Sequence, residues 1–192
     1  TTSASGLWIY QQHTRNANVV DVGWTGGLGA LSLLYAVKGR GEHLTLAPLH
    51  TSTVHSSDAS GLAFNRAVQA VMVGAWSARL GTHLITRMHQ SPEHSRYQQL
   101  RAQWTTETDK NMFLFFQAHA LMSSLLSLPL LAISARRSMP SPRSMALATS
   151  LWAVAVVGES TADRQLREFR TRPENTGRTC PDVLWHYSRH PN

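Results

Sequence analysis

Apolar residues along the chain gather into four blocks separated by polar connectors. The blocks are 19–37 (VVDVGWTGGLGALSLLYAV), 62–85, 112–133 (MFLFFQAHALMSSLLSLPLLAI) and 145–162. A helix needs about 20 predominantly apolar residues to cross a hydrocarbon core of about 30 Å. The third block meets that standard by itself. The second is interrupted by Asn65, Arg66, Gln69 and Arg79. The fourth has a short apolar run, Met145 to Gly158, between Arg143 and Glu159, and by length it would equally suit a buried helix of a soluble protein. Between the blocks, 38–61 is rich in Gly, Ser, Thr and His and reads as a loop. The stretch 87–110 is polar and charged, and 135–142 (ARRSMPSP) carries two prolines in a tight connection. The pattern predicts an all-α fold: a polytopic transmembrane helical bundle of four spans, forming one membrane domain over 1–192. Its basic segment, 159–192, lies at the end.

Composition tempers this expectation. The mean hydropathy of −0.22 and the 42% hydrophobic content would suit a soluble protein, and only the bunching of apolar residues argues otherwise. The chain begins at Thr1 and stops at Asn192 inside what reads as a motif, so it reads as truncated at both ends. Residues 1–15 lack the pattern of a secretory signal. A single cysteine, Cys180, rules out an intrachain disulfide and a CxxC metal site.

The formal charge of +7 points to an anionic membrane surface or an anionic ligand. Nucleic-acid signatures are absent, so no nucleic-acid partner is expected. If all four blocks span, Arg15, the 87–110 connector and the 163–192 tail share one side, and that side holds most of the basic residues. Positive charge marks the cytoplasmic face. The expected location is therefore an inner bacterial or endoplasmic reticulum membrane, with the tail in the cytoplasm.

The tail, ESTADRQLREFRTRPENTGRTCPDVLWHYSRHPN, carries the most information. Block four is expected to continue as a helix through Asp163 to Arg170 and to end before Pro173. On that helix Asp163, Arg167 and Arg170 share a face. Asn175, Thr176 and Gly177 make a turn. Guanidinium groups match phosphate oxygens with paired hydrogen bonds, a carboxylate can take ribose hydroxyls, and the aromatics Trp185 and Tyr187 can flank a planar ring. From charge alone, a basic segment touching anionic lipid fits as well.

The run A-D-x-Q-L-x-x-F-x-x-x-P-x-N-x-G is formed here by Ala162, Asp163, Gln165, Leu166, Phe169, Pro173, Asn175 and Gly177. With the following LWHYSRHPN of 184–192, it resembles the steroid 5-alpha-reductase family, and most closely a bacterial-type branch of unknown function. The stretches NVVDVGWTGGLG (18–29), SRYQQLRAQW (95–104) and FLFFQAHALMSSLLSLPL (113–130) are similar to the same branch. The resemblance implies a polytopic helical membrane enzyme that uses NADPH to reduce a carbon–carbon double bond conjugated to a ketone. The substrate would be a hydrophobic small molecule.

Carried over by motif, Asp163, Arg167, Arg170, Asn175, Tyr187 and Asn192 match cofactor-pocket positions, and Arg189 and His190 belong to the branch's motif. The implied chemistry is hydride delivery to the β-carbon, with a proton donor stabilising the enolate oxygen. The family's acid pair lies in N-terminal helices, and the sequence does not assign it. Isoprenylcysteine carboxyl methyltransferases, which bind S-adenosylmethionine, also resemble the tail through an R-H-P motif. A non-catalytic membrane scaffold is a third reading.

Four further residues are candidates for a substrate pocket: Asp21, Trp24, Arg79 and His83. A carboxylate inside a span is costly unless it faces a cavity or a partner, and Asp21 fits either a cavity or the interface. Arg79 and His83, four residues apart, share a helix face; they form a pocket wall or, as the nearness of Arg87 favours, snorkel to the interface. Gly23 and Gly27 form a GxxxG helix-packing pattern. The histidines have no metal-ligand spacing, and no metal site is expected.

Overall fold

The computed structural model describes residues 2–38, 56–90, 92–104, 106–181, 183–188 and 191. Among these the chain is all-α, with no strand. It falls into two compact units, Thr1–Met139 and Pro140–Asn192.

The first unit contains α1 (Thr2–Thr14), α2 (Val19–Lys38), α3 (Ser56–Gln90), α4 (Ser95–Gln103), α5 (Thr108–Leu126) and α6 (Leu128–Ala135). Helices α2 and α3 form its centre. Ser77 Oγ donates to Thr25 O at 2.8 Å, and Gln69 Nε2 donates to Ser32 Oγ at 3.2 Å. Advancing along α2 thus moves backwards along α3, and the two helices run antiparallel. Gly29 permits the close approach, since a Cβ there would collide with the Ser77 side chain.

The polar residues that interrupt block two face other helices. Asn65 Nδ2 donates to Arg136 O (2.9 Å) and Ser138 O (3.0 Å), Arg66 Nε donates to Ser134 O (2.9 Å), and Gln69 reaches Ser32. The bonds from Asn65 and Arg66 satisfy carbonyls at and just beyond the end of α6. Block three is bent at Ser127. Pro129, near the start of α6, has no N–H to continue the α5 ladder and ends it there.

Among the described residues three helical stretches are long and apolar enough to cross a membrane: Val19–Lys38, Thr108–Ala135 and Pro142–Arg170. Helix α3 falls short on hydropathy for the reason just given. On the long helices several small polar side chains are buried and several leucines are exposed. Thr25, Ser32, Ser127 and Ser134 are buried, whereas Leu33, Leu34, Leu121, Leu125, Leu126 and Leu128 are exposed. Small polar side chains joining helices inside, with leucine outside, is the arrangement a hydrocarbon solvent favours. Part of the chain's polarity therefore lies between helices.

The glycine pattern needs a correction. Gly23 packs against Leu7 of α1 and Gly29 against α3, while a Cβ on Gly27 would meet nothing within 4 Å. Gly23 and Gly27 therefore do not form one packing face.

A cluster of Ala17, Val19, Val20, Tyr97, Met112 and Phe116 is buried where α2 begins, and Leu7, Trp8, Leu100, Trp104 and Phe115 pack against it. Helices α1 and α4, both of low hydropathy, complete this end. The sequence pattern anticipated neither.

In the second unit, α7 (Pro142–Arg170) begins with Ser141, whose Oγ accepts from Ser144 N at 3.2 Å, and with Pro142 in the first turn. Leu147, Leu151, Val154 and Val157 on α7 are 62–71% exposed. The helix ends at Arg170 as expected, and Pro173–Asn175 forms a 3-10 turn, followed by the short α8 (Leu184–Tyr187).

Candidate functional site

In the second unit the tail folds back onto the last turns of α7. Asn175 Nδ2 donates to Phe169 O at 2.9 Å, closing a carbonyl at the helix end. Gly177, at φ +78°, takes the left-handed conformation that glycine adopts without a Cβ penalty, and this reverses the chain. The return brings Trp185 Nε1 to Ala162 O at 3.0 Å. Ala162, Asp163, Phe169 and Cys180 are buried by this closure.

Arg167 and Arg170 are exposed, and among the described residues neither has a side-chain hydrogen bond or ion pair. The neighbouring Arg164 instead faces Glu168 at 3.9 Å. Tyr187 is exposed. Asp163 is thus buried while Arg167, Arg170 and Tyr187 are exposed, so the face expected to carry Asp163, Arg167 and Arg170 together is divided between the inside and the surface. Asn175 serves the chain's own turn. Arg189, His190 and Asn192 lie outside the described residues.

In the first unit the four pocket candidates come to one end of the α2–α3 pair. Trp24 meets Trp76 edge-on, ring centroids 5.9 Å apart, and Arg79 lies one turn beyond Trp76. In the antiparallel register His83 lies level with the start of α2.

The partners of Asp21 come from α4. Tyr97 Oη donates to Asp21 Oδ1 at 2.7 Å and accepts from Arg96 Nη2 at 2.7 Å. Arg96 Nη2 itself lies 3.6 Å from Asp21 Oδ1. Tyr97 is fully buried. Burial, and then the charge and hydrogen bond of Asp21, push its phenol well above the ordinary tyrosine range, with Arg96 opposing. The group is a neutral phenol fixed between a carboxylate and a guanidinium.

Surrounding bonds hold this corner. His94 Nδ1 accepts from Arg96 N (3.2 Å), and His94 N donates to Asn18 Oδ1 (3.0 Å). Glu93 Oε1 accepts from Ala17 N (2.7 Å), and Arg101 Nε lies 3.2 Å from Glu93 Oε2. Arg101 Nη2 in turn donates to Gln11 Oε1 at 2.6 Å.

A family model described as a protein of unknown function, DUF1295, matches residues 7–192. The chain belongs to the DUF1295 family. No curated protein and no solved structure matches it. In this DUF1295 chain the matched stretch includes the Asp21–Tyr97–Arg96 corner and the closed tail. Among the described residues no group of three His, Cys, Asp or Glu side chains is placed to hold a metal ion.

Sequence reasoning missed Tyr97 and Arg96. The available signal is SRYQQLRAQW, a stretch whose resemblance singles out no one residue. Asp21 and Tyr97 are 76 positions apart, so no local pattern links them.

Proposed function

We propose that this DUF1295 chain acts as a membrane oxidoreductase that uses NADPH to reduce a double bond conjugated to the ketone of a lipid-soluble enone, with its tail in the cytoplasm. The reading starts from the resemblance to the steroid 5-alpha-reductase family. The observation that carries it is the closed tail, in which two arginines with no side-chain partner among the described residues stand exposed on the helix whose Asp163 is buried.

Those residues fit a nucleotide carrying phosphates. Arg167 and Arg170 lie in the last turns of α7, where positive charge also complements the helix dipole. Their forked donors suit phosphate oxygens. Trp185 and Asn175 hold the loop that keeps this face in place. Bound NADPH would supply the hydride.

In the first unit, the bonds among Asp21, Tyr97 and Arg96 fix the start of α2 against α4.

The test uses the purified full-length protein in lipid nanodiscs, NADPH deuterated at the transferred hydrogen, and a panel of hydrophobic enones. The proposal predicts deuterium at the product's β-carbon. Binding of S-adenosylmethionine, with none of NADPH, would give the methyltransferase reading instead. Binding of neither would give the scaffold.

A further inference from the structure

Two buried donors on α1 lack acceptors. Trp8 Nε1 and Gln11 Nε2 are both shielded from solvent, and neither has a hydrogen-bond partner. They are three residues apart and therefore on one face of the helix. Gln11 is fully buried. Its amide orientation is forced, because Arg101 offers only donors and Oε1 must face it, which turns Nε2 away. Trp8 is held edge-on to Phe113 of α5 at 5.3 Å, and Gln117 Nε2 on the same helix reaches Ser5 Oγ of α1 at 3.3 Å. Leaving two buried N–H groups unmet forfeits their hydrogen bonds to water without replacement, so chains seldom keep such pairs without an occupant.

We propose that Trp8 and Gln11 form a binding site for a neutral acceptor oxygen, the carbonyl end of a lipid-soluble molecule lodged between α1 and α5. A neutral group is favoured because the buried cation nearest Gln11, Arg101, is already paired with Glu93, side chains 18% and 10% exposed. Depth supports the same class. Gln11 lies one turn from the end of α1, near the polar corner, and Trp8 lies one turn further from it. Ile9 beside them and Leu114 on α5 are exposed apolar residues. A carbonyl at the head of an apolar body fits that gradient. Its source is either an added ketone or the ester of a bilayer lipid. The inference does not rest on the redox reading, since it concerns binding alone.

The experiment is 15N indole NMR of the full-length protein in nanodiscs, without NADPH. The Trp8 resonance is assigned by its loss in Trp8→Phe. Nanodiscs of diester lipid are compared with diether lipid, which has no ester carbonyl. A long-chain enone, a tetracyclic enone and their matching hydrocarbons are then added. A downfield Trp8 indole proton in ester but not ether lipid identifies a lipid carbonyl. A downfield move in ether lipid on adding an enone, absent with the hydrocarbon, identifies a ketone. In either arm Gln11→Glu, which keeps an oxygen for Arg101 but removes the donor, weakens the response roughly 3- to 10-fold in concentration. A Trp8 resonance indifferent to lipid type and enone, or one moved equally by hydrocarbon, overturns the proposal. So does a response unchanged in a Gln11→Glu protein that retains its helical circular dichroism.

Discussion

Replacing Tyr97 by Phe removes one oxygen from a fully buried site and leaves the ring in place against Phe115, 5.9 Å away. The lost hydroxyl serves two charged groups, donating to Asp21 and accepting from Arg96. Hydrogen bonds to charged groups contribute about 1.5–3 kcal/mol each when protected from water. Asp21 and Arg96 have side chains 33% and 60% exposed, so solvent recovers much of both bonds. A net loss of about 1.5 kcal/mol is expected, a fall of roughly 3–6 °C in melting temperature for a chain of this size. The raised phenol pKa adds a pH signature. A group whose folded pKa lies above its unfolded value contributes stability fully present below the unfolded value, about 10 for tyrosine, and lost as pH rises through the folded one. Wild type should therefore lose stability between pH 10 and its higher folded pKa, and Tyr97→Phe should lack that component.

Thermal unfolding in nanodiscs from pH 7 to 11, with tyrosinate absorbance followed in parallel, measures both. A variant as stable as wild type, with the same alkaline profile, would refute the account of this corner.

Gly61→Ala places a methyl group against the Arg137 backbone carbonyl and should destabilise by about 2 kcal/mol in denaturant titration. Gly29→Ala should cost less, and Ser77→Ala should partly rescue it, because the clash is with a side chain. On a Cys180→Ser background, single cysteines at Arg143 and Glu174 should label from opposite membrane faces with an impermeant maleimide. Cysteines at Ser60 and Gln90 should do the same if α3 crosses beside α2, and labelling of both from one face would leave three spans. Trp185→Phe deletes the bond to Ala162 O and should speed proteolysis within 171–181 several-fold, with α7 intact.

The apolar blocks gave a sound view of the long helices because lipid-facing positions need only be apolar, and that is a local property. The polar residues of α3 obscured its extent. Asn65, Arg66 and Gln69 read as interruptions, yet each bonds a partner at least 37 positions away, which no window along the chain reveals. Helices α1 and α4 were missed for a related reason: they are short, weakly apolar and held by contacts such as Arg101 to Gln11, 90 positions apart. In the tail, Pro173 and the Asn175–Gly177 turn were legible because backbone constraints of proline and glycine act locally. The bond from Asn175 to the end of α7 is not visible in the motif, because it depends on the turn placing the amide beside Phe169 O. The Asp21–Tyr97 pair required the fold, since only the approach of α4 to the start of α2 creates it.

The most direct measurement is calorimetric titration of NADPH into the full-length protein and into Arg167→Ala, Arg170→Ala and the double variant. Each exposed guanidinium is expected to contribute about 1.5–3 kcal/mol through charge-assisted bonds, so the double variant should bind at least 100-fold more weakly while melting like wild type. NADPH binding of equal strength in wild type and the double variant, or no NADPH binding to the folded wild type, would contradict the account.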